Sequence, residues 1–200
     1  MPDSDDGKTT SQHSEINEID EFKSGRNLLA TAVVAGHAVK HIFNSGLLSV
    51  LLPKAKLLLP IGMGLNGAQF GTLLTARNVT SWGTTIGAGY LGDRFSHRAP
   101  LLISFSLATL GIAFFLAGWT RDYWIMFGAM LLAGMGPSLY HPPALGELSR
   151  RFPDRRGFAI SLHGAGGSVG EVLGPLVVWI ALITMTWRGV LQASLVPALL

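Results

Sequence analysis

Two things are scarce in this chain: cysteine, which is absent, and charge, which reaches only 14% of its 200 residues. Without cysteine, disulfides and thiolate-ligated metals are excluded, and the redox compartment cannot be read. A soluble domain carries roughly 25% charged residues, so this composition argues against one. Acids are scarcer still past the start. Of 12 acids, seven precede residue 22, and only Asp93, Asp122, Glu147, Asp154 and Glu171 follow. The pattern reads as a short acidic, disordered cytoplasmic tail over residues 1–25, ahead of a membrane-type body over 26–200.

Several function classes fall away. The net charge of +3 does not signal nucleic acid, because the basic residues sit in short clusters between apolar runs and not on one face. The polar, acidic N-terminus lacks the basic start and short apolar core of a signal peptide. GMGLNG (62–67) and GAGYLG (87–92) fit the dinucleotide fingerprint, but neither follows a strand in a βαβ unit. GGSVG fits a nucleophile elbow, yet it lies in an apolar helix instead of a strand-turn-helix. The glycosylation pattern at Asn78 falls inside a span and is expected to be inert. No cofactor and no metal are expected.

What the chain does have is apolar length: 48% of its residues are hydrophobic. A bilayer crossing takes roughly 20 helical residues. Runs of that kind predict spans at about 28–53, 68–91, 101–119, 123–148 and 157–184, with a sixth over 189–200. The sixth is too short to cross, so the chain is expected to be cut within it. Backbone polar groups in lipid must be satisfied within the segment, and long unbroken runs favour helices over a barrel's alternating strands.

Lysine and arginine in the loops predict the orientation. Lys23, Arg26, Arg94, Arg98, Arg150, Arg151, Arg155 and Arg156 fall on one side, and Lys54, Lys56, Arg121 and Arg188 on the other. The richer side, with the N-terminus, is expected to be cytoplasmic. Trp119, Tyr123, Trp124 and Trp187 are expected at the opposite interface.

Ionisable groups at membrane depth are expensive and are functional candidates by default. At ~1.5 Å per residue, Arg77 lies about 24 Å before Asp93. Glu171 lies about 22 Å after Arg156, and Lys40 and His41 about 21–22 Å beyond Arg26. Together with Asn44 and Asn78, these residues are expected to line one polar cavity near the midplane, where transporters bind substrate. Glu171 would take up and release a proton, and Arg77 or Lys40 would hold an anionic group or neutralise Glu171. The alternative is that these charges pair structurally, or that Arg77 or Lys40 snorkels to an interface. His141, followed by Pro142 and Pro143, is expected at a helix end as a gating residue, with Pro142. His37 and His163 are expected to be packed or hydrogen-bonded helix residues.

GYLGDRFSHR (89–98) stands between the second and third runs. It resembles the signature loop of the major facilitator superfamily through Gly89, Leu91, Asp93, Arg94, His97 and Arg98, with Ser96 in place of a glycine. The resemblance implies that Gly89, Asp93, Arg94 and Arg98 form a conformational latch, against the plainer reading of a positive-inside loop. GAGGSVGEVLGP is similar to a motif of that superfamily's drug/proton antiporters through Gly166, Gly170, Gly174 and Pro175. Small residues every four positions allow close helix approach, and proline favours a bend. His41 and Asn44 in the first span, with Ser45 replacing an acid, and Gly134, Gly136, His141, Pro142 and Ala144 in the fourth, resemble fosmidomycin-resistance-like transporters. An arginine common earlier in the fourth helix would fall at Met130 and is absent here.

The resemblance implies an all-α membrane fold: the N-terminal six-helix bundle of a twelve-helix major facilitator transporter, its sixth helix truncated. It implies a secondary active transporter in the cell membrane, working by alternating access, with proton-coupled efflux of a drug or metabolite as the favoured direction. Expected partners are membrane lipids, a small-molecule substrate, a proton or other coupling ion, and a missing C-terminal six-helix half. Two alternatives stand beside it. One is a half-length membrane protein that does not transport or that acts as a homodimer. The other is an intramembrane hydrolase with Ser168 as nucleophile and His141 or His163 as base.

Overall fold

The computed structural model describes residues 25–199, and every regular element among them is helical. The acidic segment before residue 25 lies outside the described residues. Helix α1 covers residues 25–42 and runs on as a π-helical stretch, Phe43–Leu51, then a 3-10 turn, Leu52–Lys56. It is followed by α2 (Gly67–Arg94), α3 (Ala99–Trp119), α4 (Tyr123–Arg151) and α5 (Arg156–Ala181). Two short helices finish the chain, α6 (Trp187–Ala193) and α7 (Leu195–Leu199). The break between them falls at Ser194, whose hydroxyl donates to the Leu191 carbonyl.

Local chemistry fixes where these helices begin. Asn66 and Gln69 form a reciprocal capping box at the start of α2, each side chain accepting from the other's backbone N–H at 2.8 and 3.0 Å. Asp122 accepts from the N–H groups of Trp124 and Ile125 and caps α4. Thr186 does the same for α6 through Gly189. Pro100 stands in the first turn of α3, where its missing N–H is no loss. Short connections make α2, α3, α4 and α5 antiparallel neighbours in sequence.

Helix α4 is the centre of the bundle, packed along α2 on one side and α3 on the other. Helix α5 lies against the π-helical part of α1, and α6 and α7 lie against α3. Small residues set the distances, as expected where lipid removes the hydrophobic drive between helices. Gly134 of α4 sits directly on the Arg77 carbonyl of α2. Beside it, Ser138 donates to the Ser81 carbonyl at 2.9 Å. On the other side, Ser106 of α3 donates to the Gly136 carbonyl at 2.5 Å. The packed interior gathers Phe43, Leu73, Leu110, Phe114, Met126 and Met130. Large apolar side chains also cover much of the outside, including Trp82, Ile86, Phe105, Val172 and Trp179. That is the arrangement a hydrocarbon solvent rewards and water does not.

Two features differ from the sequence expectation. Helix α4 runs through Pro137, Pro142 and Pro143 to Arg151, so His141 lies ten residues inside it and is not a helix-end residue. Gly92 of α2 packs against Pro142 and Pro143, so a close helix holds that proline pair inside the bundle. Helix α5 also contains a proline, Pro175. Trp187 is not an outer interface residue. It is 6% exposed, donates from its indole to the Ile61 carbonyl at 2.9 Å, and lies under the Arg188 guanidinium. Trp119 and Trp124 do face outward.

Candidate functional site

The α1–α5 seam carries the site. Gly166, Gly170 and Gly174 all face α1, as their four-residue spacing requires. A Cβ on Gly166 would meet the Val34 carbonyl oxygen at 2.7 Å, and Cβ atoms on Gly170 and Gly174 would run into the Ala38 carbonyl and the Ser45 hydroxyl. From the other side, Gly46 answers Gly174: its Cβ would lie 2.6 Å from the Gly174 carbonyl oxygen. Gly167 adds a notch that the four-residue spacing did not reveal. Its missing Cβ would stand 2.7 Å from Cε1 of His37 and 3.1 Å from Cδ2 of His41. The Gly166-Gly167 doublet was the available signal.

Two polar groups follow from this seam, where the sequence suggested one. The first is an open recess of about 410 Å³ lined by Asn44, Ser45, Leu48, Ser49, Arg77 and Glu171. Arg77 reaches across from α2. Its guanidinium donates to Asn44 Oδ1 at 2.9 Å and to Asn78 Oδ1 at 3.0 Å, while its Nε is buried with no hydrogen-bond partner among the described residues. Glu171 projects from α5 with its side chain 61% exposed, and its Oε1 lies 3.0 Å from Nδ1 of His41.

The second group is buried and lies closer to the end of the bundle carrying the α2–α3 and α4–α5 turns. Lys40, at 2% exposure, donates from Nζ to Nε2 of His141 at 2.5 Å. His37 stacks on His163 with centroids 3.8 Å apart, and its Nδ1 lies 2.6 Å from the His163 carbonyl oxygen. Tyr140 lies beside this pair, its ring near-parallel to both with centroids 5.8 Å from His37 and 6.0 Å from His163, and donates to the Val33 carbonyl at 2.5 Å. His41 joins the two groups, with its Nε2 3.1 Å from Nε2 of His37.

The single expected cavity is therefore divided. Lys40 does not line the recess with Arg77 and Glu171, and His141 is an interior partner of Lys40, not a helix-end residue. Neighbours on a helix point about 100° apart, so Lys40 faces α4 while His41 faces α5. His37 is packed and hydrogen-bonded, whereas His163 is packed with neither ring nitrogen hydrogen-bonded among the described residues. Ring nitrogens of His37, His141 and His163 lie within 4.8 Å of one another. The stack of His37 on His163 is parallel to within 3°, so their in-plane lone pairs do not converge on one point, and Lys40 already takes the lone pair of His141.

At the turn-bearing end, Asp93, Arg94 and Arg98 are exposed, and Asp93 forms no ion pair among the described residues. Nothing crowds Gly89. The acid that does organise this end is Glu147, which the sequence reading left aside. It is buried and accepts from Arg150 and Arg151, each at 2.6 Å, and Arg150 also donates to the Ser96 carbonyl at 3.1 Å. The spacing E-L-S-R-R, one acid with bases three and four residues on, was the missed signal.

The hydrolase arrangement is not formed. Ser168 is exposed, and its hydroxyl donates to the Gly164 carbonyl of its own helix, away from His141 and His163.

Comparison with known proteins places this architecture. The segment 113 residues long that matches the oxalate:formate antiporter of Oxalobacter formigenes is 32% identical and covers 54% of this chain and 25% of that protein. The multidrug resistance protein MdtH of Shigella dysenteriae is 30% identical over 58% of this chain and 28% of its own length. The human monocarboxylate transporter 11 is 35% identical over 50% of this chain and 21% of its own. The match thus spans about a quarter of each of these relatives. Residues 32–200 match the Major Facilitator Superfamily as a whole. The helical bundle, its lipid-suited exterior and this match agree: the chain belongs to the major facilitator superfamily of multi-pass membrane proteins.

Proposed function

We propose that the protein is a secondary active transporter that moves a small carboxylate-bearing solute by alternating access, coupled to protons, with efflux across the cell membrane as its direction. The N-terminus and the 92–100 and 149–156 turns lie on the cytoplasmic side, and a second six-helix half completes the pathway. One observation carries the anionic preference. Arg77 sits in a recess with two donors held by Asn44 and Asn78 and, among the described residues, no acid within ion-pair distance and no hydrogen-bond partner for its buried Nε. A planar guanidinium so fixed matches a carboxylate's geometry. The names of two relatives, an oxalate:formate antiporter and a monocarboxylate transporter, run the same way. His41, Asn44 and the Gly134–Ala144 segment support the narrower reading of a fosmidomycin-resistance-like efflux protein. Gly89, Asp93, Arg94 and Arg98 serve as the latch between states, with His141 and Pro142 lining the closed end.

The experiment is flux in liposomes bearing the full-length gene product. An imposed proton gradient should drive oxalate, formate or lactate movement, and Arg77→Gln should abolish it while the protein stays folded. Carboxylate flux that ignores the gradient would remove proton coupling. Flux of uncharged drugs with Arg77→Gln fully active would remove the anionic substrate.

A further inference from the structure

The hydrogen bonds around His37 have a fixed direction. A carbonyl oxygen only accepts, so Nδ1 of His37 carries the proton it shares with the His163 carbonyl at 2.6 Å. Nε2 of a neutral His37 is then bare. Nε2 of His41, 3.1 Å away, must supply the hydrogen in that gap. That leaves Nδ1 of His41 buried 3.0 Å from Oε1 of Glu171, close but out of line for a hydrogen bond as the two side chains stand. This last gap is attractive only when it holds a proton, either on Nδ1 of a charged His41 or on a neutral Glu171. With no proton there, a lone pair faces a carboxylate. Switching His41 to its other tautomer would restore this contact and break the one to His37.

We propose that Glu171, His41 and His37 form one proton-binding site across the α1–α5 seam, filled by a single exchangeable proton. The proton can rest on Glu171, on His41 or, by a second shift across the Nε2–Nε2 gap, on His37. Each shift breaks one N–H or O–H bond and forms another, with no electron transfer. Release runs from Glu171 to solvent in the open recess, since its side chain is 61% exposed and free to swing into line with the ring. Emptying the site sets His41 against Glu171 and loosens α1 from α5 at this level. Gly167 makes the site possible, because only a residue without Cβ lets both rings reach α5. Lys40 of α1 and Arg77 of α2 bring positive charge, His141 and Tyr140 of α4 and His163 of α5 enclose His37, and Glu171 is the one acid among the described residues at this depth.

This site deepens the proton-coupled reading and rests on it for any part in transport, but it is tested without flux. Full-length protein labelled with ¹⁵N-histidine is placed in lipid nanodiscs and titrated with pH by NMR, with the carboxyl band followed by infrared. The expected result is His37 protonated on Nδ1 when neutral, with His41 and a carboxyl titrating together. Glu171→Gln should remove the carboxyl band and shift the His41 midpoint, and Gly167→Ala should abolish the coupling of His41 to His37. His97→Gln should change neither. His37 protonated on Nε2 instead, or His41 titrating alike with and without Glu171, overturns the proposal. Intact NMR coupling with gradient-independent flux would leave the site standing and remove only the transport reading.

Discussion

Lys40 and His41 are neighbours in the chain whose side chains serve different helices: Lys40 Nζ lies 2.5 Å from His141 on α4, and His41 Nδ1 lies 3.0 Å from Glu171 on α5. One turn of α1 therefore ties the buried histidine cluster to the open recess. A structural role for Lys40 and a functional one differ in outcome. His141 needs no charge partner when neutral, so Lys40→Met should keep the fold, with thermal unfolding in detergent close to that of the parent. Flux should fall sharply if the lysine sets the local field. A variant that cannot be purified as a folded protein would assign Lys40 to structure alone.

Arg77→Lys should not rescue Arg77. Lysine offers a point charge where a fork is held between Asn44 and Asn78. Each charge-assisted hydrogen bond is worth about 1.5–3 kcal/mol, so carboxylate binding should weaken at least roughly tenfold, by the ~1.4 kcal/mol per decade relation. Equilibrium binding of radiolabelled oxalate and formate to the two proteins decides it. Equal affinity would move the anion site elsewhere.

Gly170→Ala should loosen the α1–α5 seam, because its Cβ falls on the Ala38 carbonyl, a backbone atom that cannot rotate aside. Overpacking of this kind costs about 1–3 kcal/mol. Gly164→Ala on the same helix meets nothing within 4 Å and should be neutral or slightly stabilising, since alanine is the better helix former. Melting curves of the pair, taken side by side, test the close approach directly. Equal melting temperatures would contradict it.

Glu147→Gln should destabilise the turn-bearing end more than Asp93→Asn. Glu147 is buried and holds two arginines at 2.6 Å, and neutralising it leaves both without their acid, an effect of about 1–3 kcal/mol. Asp93 is exposed and unpaired among the described residues, so its replacement should leave stability alone. Any loss of flux in Asp93→Asn with an unchanged melting curve would mark it as a residue of the conformational cycle.

The sequence by itself determined the class of protein. Apolar runs of spanning length left no choice but helices, because lipid offers no partner to a free backbone N–H or carbonyl. The four-residue glycine spacing already put Gly166, Gly170 and Gly174 on one face, and depth counting brought Lys40, His41, Arg77 and Glu171 to one level. Only the tertiary structure decided which neighbours each side chain meets. Lys40 and His41 have the same depth and the same polar character, and a linear reading merges them. The 100° between them sends one to α4 and one to α5. Glu147 and Gly167 passed unnoticed for the same reason: an acid among arginines and a glycine among glycines become specific only when another helix comes to rest against them. His141 read as a helix-end residue, yet α4 runs on past it to Arg151, with Gly92 of α2 packed against Pro142 and Pro143. Periodicity and solvent set the elements, whereas the contacts across the seams set the chemistry.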